Sequence, residues 1–579
     1  MGILIKNGLI YDGTGAAPFK GSVFIEDDRI KAVIKDELAA GGETGPDAVL
    51  GNQATSGAVL GNQAASATRL DKEANLYGGT CIGENSFTSF ENVETVIDAC
   101  GRCVTPGFID QHRHADLAIF RESFGPQELA QGLTTIGTGV CGFSYAPFTD
   151  KSEGLYTYAE PIMGPSADGA RYATLAEYID AARHADLSIN AATLQGLGAI
   201  RIAVKGYDPS PYTKEEMEKG QALVEDAINA GVRGFSTGLI YNPEMYTSTE
   251  EMTELLKPCK GRNMLFMPHM RSEANELPEA VSEVIHIAEE NEMVLSISHF
   301  KAMGPENWHV KLEDAISRIE AARNRGMDVT VDVYPYHGTS TTLSSALPFS
   351  FLNEPFEKII AKINRKDEID RLKHCYLNPG PKDNKISPDF RWSTTLITGV
   401  ALPENEKYLS KSVKDAFAIS GYSDIYEFIA NLLYSEKGSV CMVELAMDEA
   451  DVERIMKLPY SMIISDTLYT ITDYPHPRAY AMCPHMIKEY VLNRKVLPLE
   501  TAIKKMTSMQ AERMHYTDRG LIKEGAYADV LIFDPENLKD NATFEKGKVL
   551  SGGIDYAFVN GVLSWKDEKQ LAKAGRYLI

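Results

Sequence analysis

The sequence is poor in cysteine and in long apolar runs, and it carries far fewer positive than negative charges. Eight cysteines among 579 residues are too few for a fold built on disulfides. No run reaches the roughly 20 apolar residues of a membrane span, and the opening residues lack the apolar stretch of a secretory leader. Lysine and arginine number 58 against 81 acidic residues, a net charge of −23, which disfavours nucleic acid or an anionic membrane as a partner. These absences predict a cytoplasmic protein.

What the chain does have is length and a regular alternation of strands and helices. A chain of 579 residues leaves room for several domains at about 150 residues each. From residue 108 onward, eight short β-like runs alternate with helical segments, several of which end in glycine. The runs are FIDQH (108–112), TTIGT (134–138), NAATL (190–194), GFSTG (234–238), LFMPH (265–269), LSISH (295–299), VTVDVYP (329–335) and MIISD (462–466). Eight such units predict an α/β fold with a (β/α)8 barrel.

The two ends of the chain are both β-rich and predict a small β-domain around the barrel. Two pairs of extended runs open the sequence, one around Asn7-Gly8 and one around Asp27-Asp28, and both are typical of hairpins. We therefore assign residues 1–107 and 511–579 to the β-domain and residues 108–510 to the barrel.

Two segments interrupt this plan. Residues 38–92 are rich in Gly, Ala, Ser and Asn and contain the duplicated stretch AVLGNQA, which is typical of a surface insertion. Residues 343–458 separate the last two predicted strands and contain helical segments of their own. We interpret this second segment as an inserted lid.

Metal-binding side chains are concentrated where the predicted strands end. His112 and His114 follow the first strand and share one face, because side chains alternate along a strand. Cys141 follows the second strand, His269 ends the fifth and His299 ends the sixth. Any single histidine is ordinarily a hydrogen-bonded core or surface residue, but four of only 12 histidines lie at this one rim. Imidazole and thiolate suit Zn²⁺, so the sequence predicts a zinc site at the carboxyl ends of the strands, where barrel enzymes hold their active sites.

One carboxylate completes this rim. Asp466 follows the eighth strand and can move protons beside a metal. Its alternative role is that of a cap at a strand–helix junction.

A second motif favours a different chemistry. The segment Gly234–Gly238 matches GxSxG, which marks serine hydrolases when the serine lies on a sharp strand-to-helix turn. Asn242 precedes a proline, and a residue in that position disfavours a helix start. A serine hydrolase is therefore the weaker interpretation.

Several short segments follow one another along the chain, namely PGFIDQHRH, GLTTIGTGVCGFS, GFSTGLIYNP, MPHMRSE, ISHFK, DVYPY, SD and HPR. In this order they resemble motifs of the D-aminoacylase (N-acyl-D-amino-acid deacylase) family of the amidohydrolase superfamily. The resemblance extends over nearly the whole chain, apart from residues 38–92 and much of residues 343–458. It implies a zinc-dependent hydrolase that converts small-molecule N-acyl-D-amino acids to a carboxylate and a free D-amino acid.

The same resemblance implies roles for individual side chains. It implies that a tightly held zinc is bound by Cys141, His269 and His299. A second and weaker metal position is implied at His112 and His114, with Cys141 as the bridging ligand. The general acid/base is implied to be Asp466. The substrate's α-carboxylate is implied to be bound by Lys301, Tyr334, Ser340 and Arg478.

The chain departs from the family pattern at two places that concern substrate choice. It has Gly196-Leu197-Gly198 where the family commonly has Gly-His-Gly, and it has His337–Ser340 where a Gly-Ser pair is usual. The loop His337–Pro355 contains no lysine or arginine and predicts a preference for neutral, apolar D-residues. Two alternatives stay open at this point, namely another amidohydrolase chemistry such as a cyclic amidase or deaminase, and a non-catalytic scaffold.

Overall fold

The computed structural model describes residues 2–36, 92–152, 159–160, 162–165, 169–470 and 472–579. The predicted insertion at 38–92 lies outside these residues, except for Asn92. Among the described helices, none combines the length and the apolar composition needed to cross a membrane.

The described residues form 21 strands and a set of α-helices with the following bounds. The strands are β1 (Gly2–Ile10), β2 (Phe19–Glu26), β3 (Arg29–Lys35), β4 (Val93–Asp98), β5 (Cys103–Pro106), β6 (Phe108–Asp110), β7 (Leu133–Thr138), β8 (Asn190–Thr193), β9 (Gln195–Gly196), β10 (Gly234–Gly238), β11 (Leu265–His269), β12 (Val294–Ile297), β13 (Val329–Val333), β14 (Thr339–Thr342), β15 (Thr395–Gly399), β16 (Cys441–Glu444), β17 (Ser461–Ile463), β18 (Val530–Phe533), β19 (Ile554–Val559), β20 (Val562–Lys566) and β21 (Lys569–Gln570). The helices span Pro126–Leu129, Leu175–His184, Leu197–Lys205, Lys214–Asn229, Thr249–Leu255, Leu277–Glu290, Val310–Asn324, Phe356–Ile360, Lys366–Leu377, Pro388–Thr394, Val413–Ser420, Ile425–Ser435, Glu449–Met456, Arg478–His485, Leu499–Lys505 and Ser508–Arg513.

Strands from both ends of the chain join in one nine-stranded sheet. Its order is β21-β20-β19-β18-β5-β1-β2-β3, and β4 also pairs with β1. The hairpin expected at Asp27-Asp28 is present, because β2 and β3 pair antiparallel on either side of it. The hairpin expected at Asn7-Gly8 is wrong. Residues 2–10 are a single strand with a register shift between Ile5 and Gly8, because β1 is held along its length by β2, β4 and β5.

Nine parallel strands carry the site. They form a three-stranded sheet, β6-β7-β8, and a six-stranded sheet, β17-β13-β12-β11-β10-β9. Only Leu194 separates β8 from β9, and with these two taken together the strands overlap the eight runs expected from the sequence. On the other side, a parallel bridge between Arg113 and Thr467 and a hydrogen bond from Asp466 N–H to the His112 carbonyl connect the first strand to the last. These contacts bring the two parallel sheets together, as the predicted (β/α)8 barrel requires, and all strands point their carboxyl ends to one rim.

The segment between β13 and β17 has its own architecture. Strands β14, β16 and β15 form an antiparallel sheet, and helices pack on it around a separate apolar core that includes Phe351, Leu372, Trp392 and Ile397. Through β14 and β16 this segment reaches the rim of the barrel. Its function as a lid stays a prediction, as do the exact domain limits.

Candidate metal centre and active site

Metal-binding side chains from several barrel strands meet at the carboxyl rim. Two groups of potential ligand atoms lie there, and within each group all atoms are within 4.8 Å of one another. The groups are His112, His114, Cys141 and Asp466, and Cys141, His269 and His299. The structure thus brings together all five histidine and cysteine residues expected from the sequence, with Cys141 shared between the two groups.

Two of these histidines are oriented by buried carboxylates. His112 places Nε2 3.2 Å from Cys141 Sγ and Nδ1 3.5 Å from Asp332 Oδ2. His299 places Nε2 3.4 Å from Cys141 Sγ and Nδ1 2.9 Å from Glu273 Oε1. A carboxylate on one ring nitrogen fixes the ring so that the other nitrogen is free to bind a metal.

Sequence reasoning missed Glu273 and Asp332. Both lie inside the motifs MPHMRSE and DVYPY, so a signal was present. Their role depends on contacts with histidines far along the chain, which the motifs do not display.

The protonation states of His269 and His299 fit a zinc site. The buried His269 has no hydrogen-bond partner on either ring nitrogen within the described residues, and His114 Nδ1 has none there either. Burial lowers the pKa of His269 and of His299 well below the usual value, and the neighbouring charge of Lys301 lowers that of His299 further. Neutral imidazoles beside a cysteine are a donor set that suits Zn²⁺, so the residues present fit this metal.

The turn that carries Cys141 is supported by Ser236. The Ser236 hydroxyl donates to the carbonyl of Gly139 at 2.6 Å and accepts from the Gly142 N–H at 3.0 Å. Ser236 is buried within β10, not on a strand-to-helix turn. The GxSxG segment therefore supports the turn that carries Cys141. Ser236 does not lie on the sharp strand-to-helix turn that a serine hydrolase requires.

Asp466 faces histidines on one side and an arginine on the other. Its Oδ1 lies 3.3 Å from His114 Nε2 and 3.5 Å from His112 Nε2, and its Oδ2 lies 2.9 Å from the Arg478 guanidinium. Burial acts to raise the pKa of this carboxyl, but Arg478 and the hydrogen bond with His114 hold it well below its usual value. Asp466 is therefore ionised at neutral pH, and its contacts are those of a site residue rather than of a helix cap.

The four residues expected to bind a carboxylate are also neighbours. The Tyr334 ring lies 4.4 Å from Arg478 Cζ and 5.8 Å from Lys301 Nζ, measured to its centroid, and Arg478 donates to the Ser340 carbonyl at 3.4 Å. Within the described residues, Arg478 Nε and Nη1 and the Tyr334 hydroxyl are buried without a hydrogen-bond partner, so they are available to a carboxylate. Lys301 is already engaged, since its Nζ lies 2.5 Å from Glu273 Oε1.

A cavity opens on this rim and joins the barrel to the inserted segment. Barrel residues that line it include His114, His269, His299, Lys301 and Asp466. The part of the chain between β13 and β17 contributes polar residues and an ion pair, namely Thr339, Ser340, Thr341, Ser345, Asn384, Arg391 and Glu444. Apolar lining comes from Ile162, Ile240, Tyr241, Met303, Ala346, Met442 and Leu468. The cavity thus places polar, charged and apolar side chains beside the metal-binding rim.

His476, in the HPR segment, links two parts of the carboxylate site. Its Nε2 donates to the Gly338 carbonyl at 2.9 Å, and its Nδ1 accepts from the Arg478 N–H at 3.0 Å. Burial and the charge of Arg478 lower the pKa of this buried imidazole well below the usual value. His476 is therefore a neutral link between the loop before Ser340 and the backbone of Arg478.

The chain is similar over most of its length to curated hydrolases. It is 31% identical over 486 residues to D-aminoacylase from Alcaligenes xylosoxydans xylosoxydans, which covers 84% of this chain and 89% of that protein. It is 30% identical over 485 residues to N-acyl-D-glutamate deacylase from the same organism, which covers 83% of this chain and 87% of that protein.

The fold is shared with solved structures of such enzymes. The crystal structure of N-acyl-D-glutamate deacylase from Bordetella bronchiseptica, complexed with zinc and a phosphonate mimic of the tetrahedral intermediate, matches with a TM-score of 0.75 and 26% identity. The match covers 100% of this chain and 99% of that chain. The model of the Amidohydrolase family matches residues 444–569. The chain therefore belongs to the D-aminoacylase and N-acyl-D-amino-acid deacylase family of amidohydrolases.

Proposed function

We propose that this protein is a zinc-dependent hydrolase that removes the acyl group from N-acyl-D-amino acids. The observation that carries the proposal is the contact between Arg478 and Asp466 at 2.9 Å beside the metal-binding histidines. In an N-acyl amino acid the amide nitrogen and the carboxylate are attached to the same carbon. An enzyme for this substrate must therefore place its proton-transfer group next to its carboxylate anchor, as this rim does.

The residues that would hold the metal form two overlapping sets. Cys141, His269 and His299 are proposed as ligands of a tightly bound zinc, and His112 and His114 as a second, weaker position that shares Cys141. When bound, Zn²⁺ lowers the pKa of a water molecule to about 7 and polarises the amide carbonyl. Cys141 belongs to both sets and would bind the metal as a thiolate.

The side chains of the chain itself do the remaining work. Asp466, ionised at neutral pH, accepts the proton of the attacking water at its carboxylate and passes it to the nitrogen of the departing amine. Arg478, with its free guanidinium N–H groups, binds the α-carboxylate in the paired geometry that arginine offers. Tyr334 and Ser340 complete that anchor, and Lys301 adds positive charge beside Tyr334 while its Nζ stays paired with Glu273. The preference for D-stereochemistry follows from the relatives, which act on D-compounds by name.

We also propose a preference for neutral, apolar side chains. Arg113, which could have supplied a further cation, is fully buried and pairs with Asp110 and Glu128, both at 3.2 Å. Arg271 pairs with Glu283 at 2.9 Å. Neither is therefore free to bind an acidic side chain. The relatives do not decide the matter, since D-aminoacylase and N-acyl-D-glutamate deacylase are about equally similar.

Paired substrates test the activity most directly. Purified protein, with its zinc content measured by mass spectrometry, is assayed with N-acetyl-D- and N-acetyl-L-forms of leucine, methionine and phenylalanine. We expect turnover of the D series, loss of activity with a metal chelator, and no effect of a serine-reactive phosphonate. Faster turnover of the L series would overturn the stereochemical assignment.

The alternatives have their own outcomes in the same assay. Hydrolysis of cyclic amides or release of ammonia, without turnover of N-acyl-D-amino acids, would indicate a cyclic amidase or a deaminase. Protein that binds no zinc and turns over none of these substrates would indicate a non-catalytic scaffold. The complete set of ligand side chains favours the hydrolase.

A further inference from the structure

A buried ion pair from the inserted segment lies in the wall of the cavity. Arg391 donates from Nε to Glu444 Oε1 at 3.1 Å, and its Nη1 lies 3.4 Å from the carbonyl of Ala346. Arg391 and Glu444 are only 5% and 2% exposed, yet both line the same cavity as His269, His299 and Asp466. The pair is therefore positioned to contact a molecule bound in the cavity.

Strand register explains why Glu444 faces the cavity. In the antiparallel pair β14–β16, Thr339 lies opposite Glu444 and Thr341 lies opposite Met442. Residues two apart on a strand, and residues directly opposite across a pair, share one face of the sheet. All four of these residues line the cavity, so this face of the inserted sheet forms its wall. Ser340, a proposed carboxylate binder, lies on the same strand as Thr339.

The described lining of the cavity contains no unpaired lysine or arginine. Its lysine and arginine side chains are Lys301 and Arg391. Lys301 forms an ion pair with Glu273, and Arg391 forms one with Glu444. An acidic substrate side chain that approached Arg391 would meet the carboxylate of Glu444 already in place. A buried charge that loses its partner is costly, so displacement of Glu444 by a substrate is disfavoured.

We propose that the Arg391–Glu444 pair determines side-chain specificity, in that Glu444 neutralises Arg391 and thereby excludes acidic D-residues. The proposal rests on the function proposed above. Each partner neutralises the charge of the other. Removal of one partner should therefore favour substrate side chains whose charge is opposite to that of the remaining partner. Glu444→Gln should admit acidic side chains, and Arg391→Gln should admit basic ones.

The test compares specificity constants for N-acetyl-D-glutamate, N-acetyl-D-leucine and N-acetyl-D-lysine in the full-length zinc enzyme. A hydrogen bond to a charged group contributes about 1.5–3 kcal/mol, which corresponds to a factor of about 10–150. We expect Glu444→Gln to raise the glutamate-to-leucine ratio of kcat/KM by at least about tenfold. Arg391→Gln should raise the lysine-to-leucine ratio instead, and the double variant should show neither change.

Glu368→Gln provides a matched control. Glu368 belongs to the same inserted segment, is 8% exposed and pairs with Lys362 at 3.0 Å and Arg371 at 2.8 Å. It is absent from the described lining of the cavity. Glu368→Gln should leave both ratios unchanged. This control separates the effect of losing Glu444 from the general effect of losing a buried, paired glutamate.

Each outcome bears on the proposal. Folded, zinc-loaded Glu444→Gln and Arg391→Gln enzymes that still hydrolyse N-acetyl-D-leucine with unchanged ratios would overturn it. If one single variant fails to fold, the other decides, because each has its own expected shift. Wild-type enzyme with N-acetyl-D-glutamate as its best substrate would overturn the proposal without any variant. Wild-type enzyme that hydrolyses none of the three substrates would contradict the proposed function. An active enzyme with unchanged ratios would contradict only the role of the ion pair.

Discussion

At the residue scale, three side chains of the site are held on backbone that L-residues rarely adopt. The φ angles of Cys141, His299 and Asp466 are 53°, 33° and 52°, in the left-handed region. Such conformations cost about 1–3 kcal/mol each and are concentrated at functional sites. The surrounding fold must hold these residues in place, and the benefit is that a thiol, an imidazole and a carboxylate converge on one point.

Replacing Cys141 with alanine tests the metal site. Cys141 belongs to both groups of ligand atoms, so Cys141→Ala should abolish tight zinc binding and activity. His269→Ala and His299→Ala should do the same, whereas His112→Ala should have a smaller effect on tightly bound zinc. Metal content by mass spectrometry and kcat/KM are the measurements. Cys259→Ala, which removes a buried free thiol elsewhere, is the control and should retain zinc. Full zinc occupancy in Cys141→Ala would contradict the assignment.

Asp466→Asn separates proton transfer from metal binding. The amide keeps the size of the side chain but cannot accept the proton of water, so turnover should fall by about 10²–10⁴-fold while the zinc content stays near that of the wild type. Loss of the charge opposite Arg478 should also change KM. Turnover within a few fold of the wild type would contradict the proton-transfer role of Asp466.

At the element scale, the turn after β7 is packed against the ends of its neighbours. A Cβ atom on Gly196, at the end of β9, would lie within 3.0 Å of backbone atoms of Gly142 and Phe143. A Cβ atom on Gly238, at the end of β10, would lie equally close to the carbonyl of Cys141. Both strands therefore require glycine at their ends, so that the cysteine turn can lie between them.

Gly196→Ala tests this packing. The added methyl group must push the cysteine turn away, because backbone atoms cannot move as a side chain does. Overpacking of this kind costs about 1–3 kcal/mol, so we expect a lower melting temperature together with weaker zinc retention during dialysis. Gly380→Ala is the control, since its Cβ would approach nothing closer than 3.3 Å. Unchanged zinc retention in Gly196→Ala would show that the turn tolerates the displacement.

At the scale of the whole molecule, a buried lysine ties the last helices to the barrel. Lys505 donates from Nζ to the carbonyls of Leu458 and Ser461 at 2.6 and 2.8 Å, and to the Ser461 hydroxyl at 2.9 Å. It thus connects the helix Leu499–Lys505 to the start of β17. Burial lowers the pKa of this amine to about 7.

This lysine predicts a pH dependence of stability. The unfolded chain keeps the Lys505 proton up to about pH 10.4, whereas the folded chain releases it above about pH 7. Between these values the unfolded state binds more protons, so the contribution of Lys505 to stability increases with pH. Differential scanning calorimetry of the wild type and Lys505→Met from pH 7 to 9.5 is the measurement. As the pH rises, the melting temperature of the wild type should increase relative to that of Lys505→Met. A difference in melting temperature that does not change with pH would contradict the low pKa of Lys505.

The sequence correctly predicted the features that depend on local pattern. The parallel strands overlap the eight apolar runs that predicted them. The five histidine and cysteine side chains meet at the rim, because the ends of parallel strands share one edge of the fold. The failure at Asn7-Gly8 has the opposite cause. A local turn signal there was overridden by pairing of residues 2–10 with three other strands, and those strands come from elsewhere in the chain.

The sequence by itself thus determined the fold class, the family and the metal-binding rim, because strand periodicity and short motifs are local and ordered along the chain. Only the tertiary structure decided which charges meet. Asp332 orients His112 across 220 positions of sequence, and Glu444 occupies Arg391 across 53. No local pattern encodes such distances, since they depend on how twisted strands and an inserted sheet pack in space. For that reason the side chains that meet at the rim could be named in advance, whereas the partners that orient or neutralise the site residues could not.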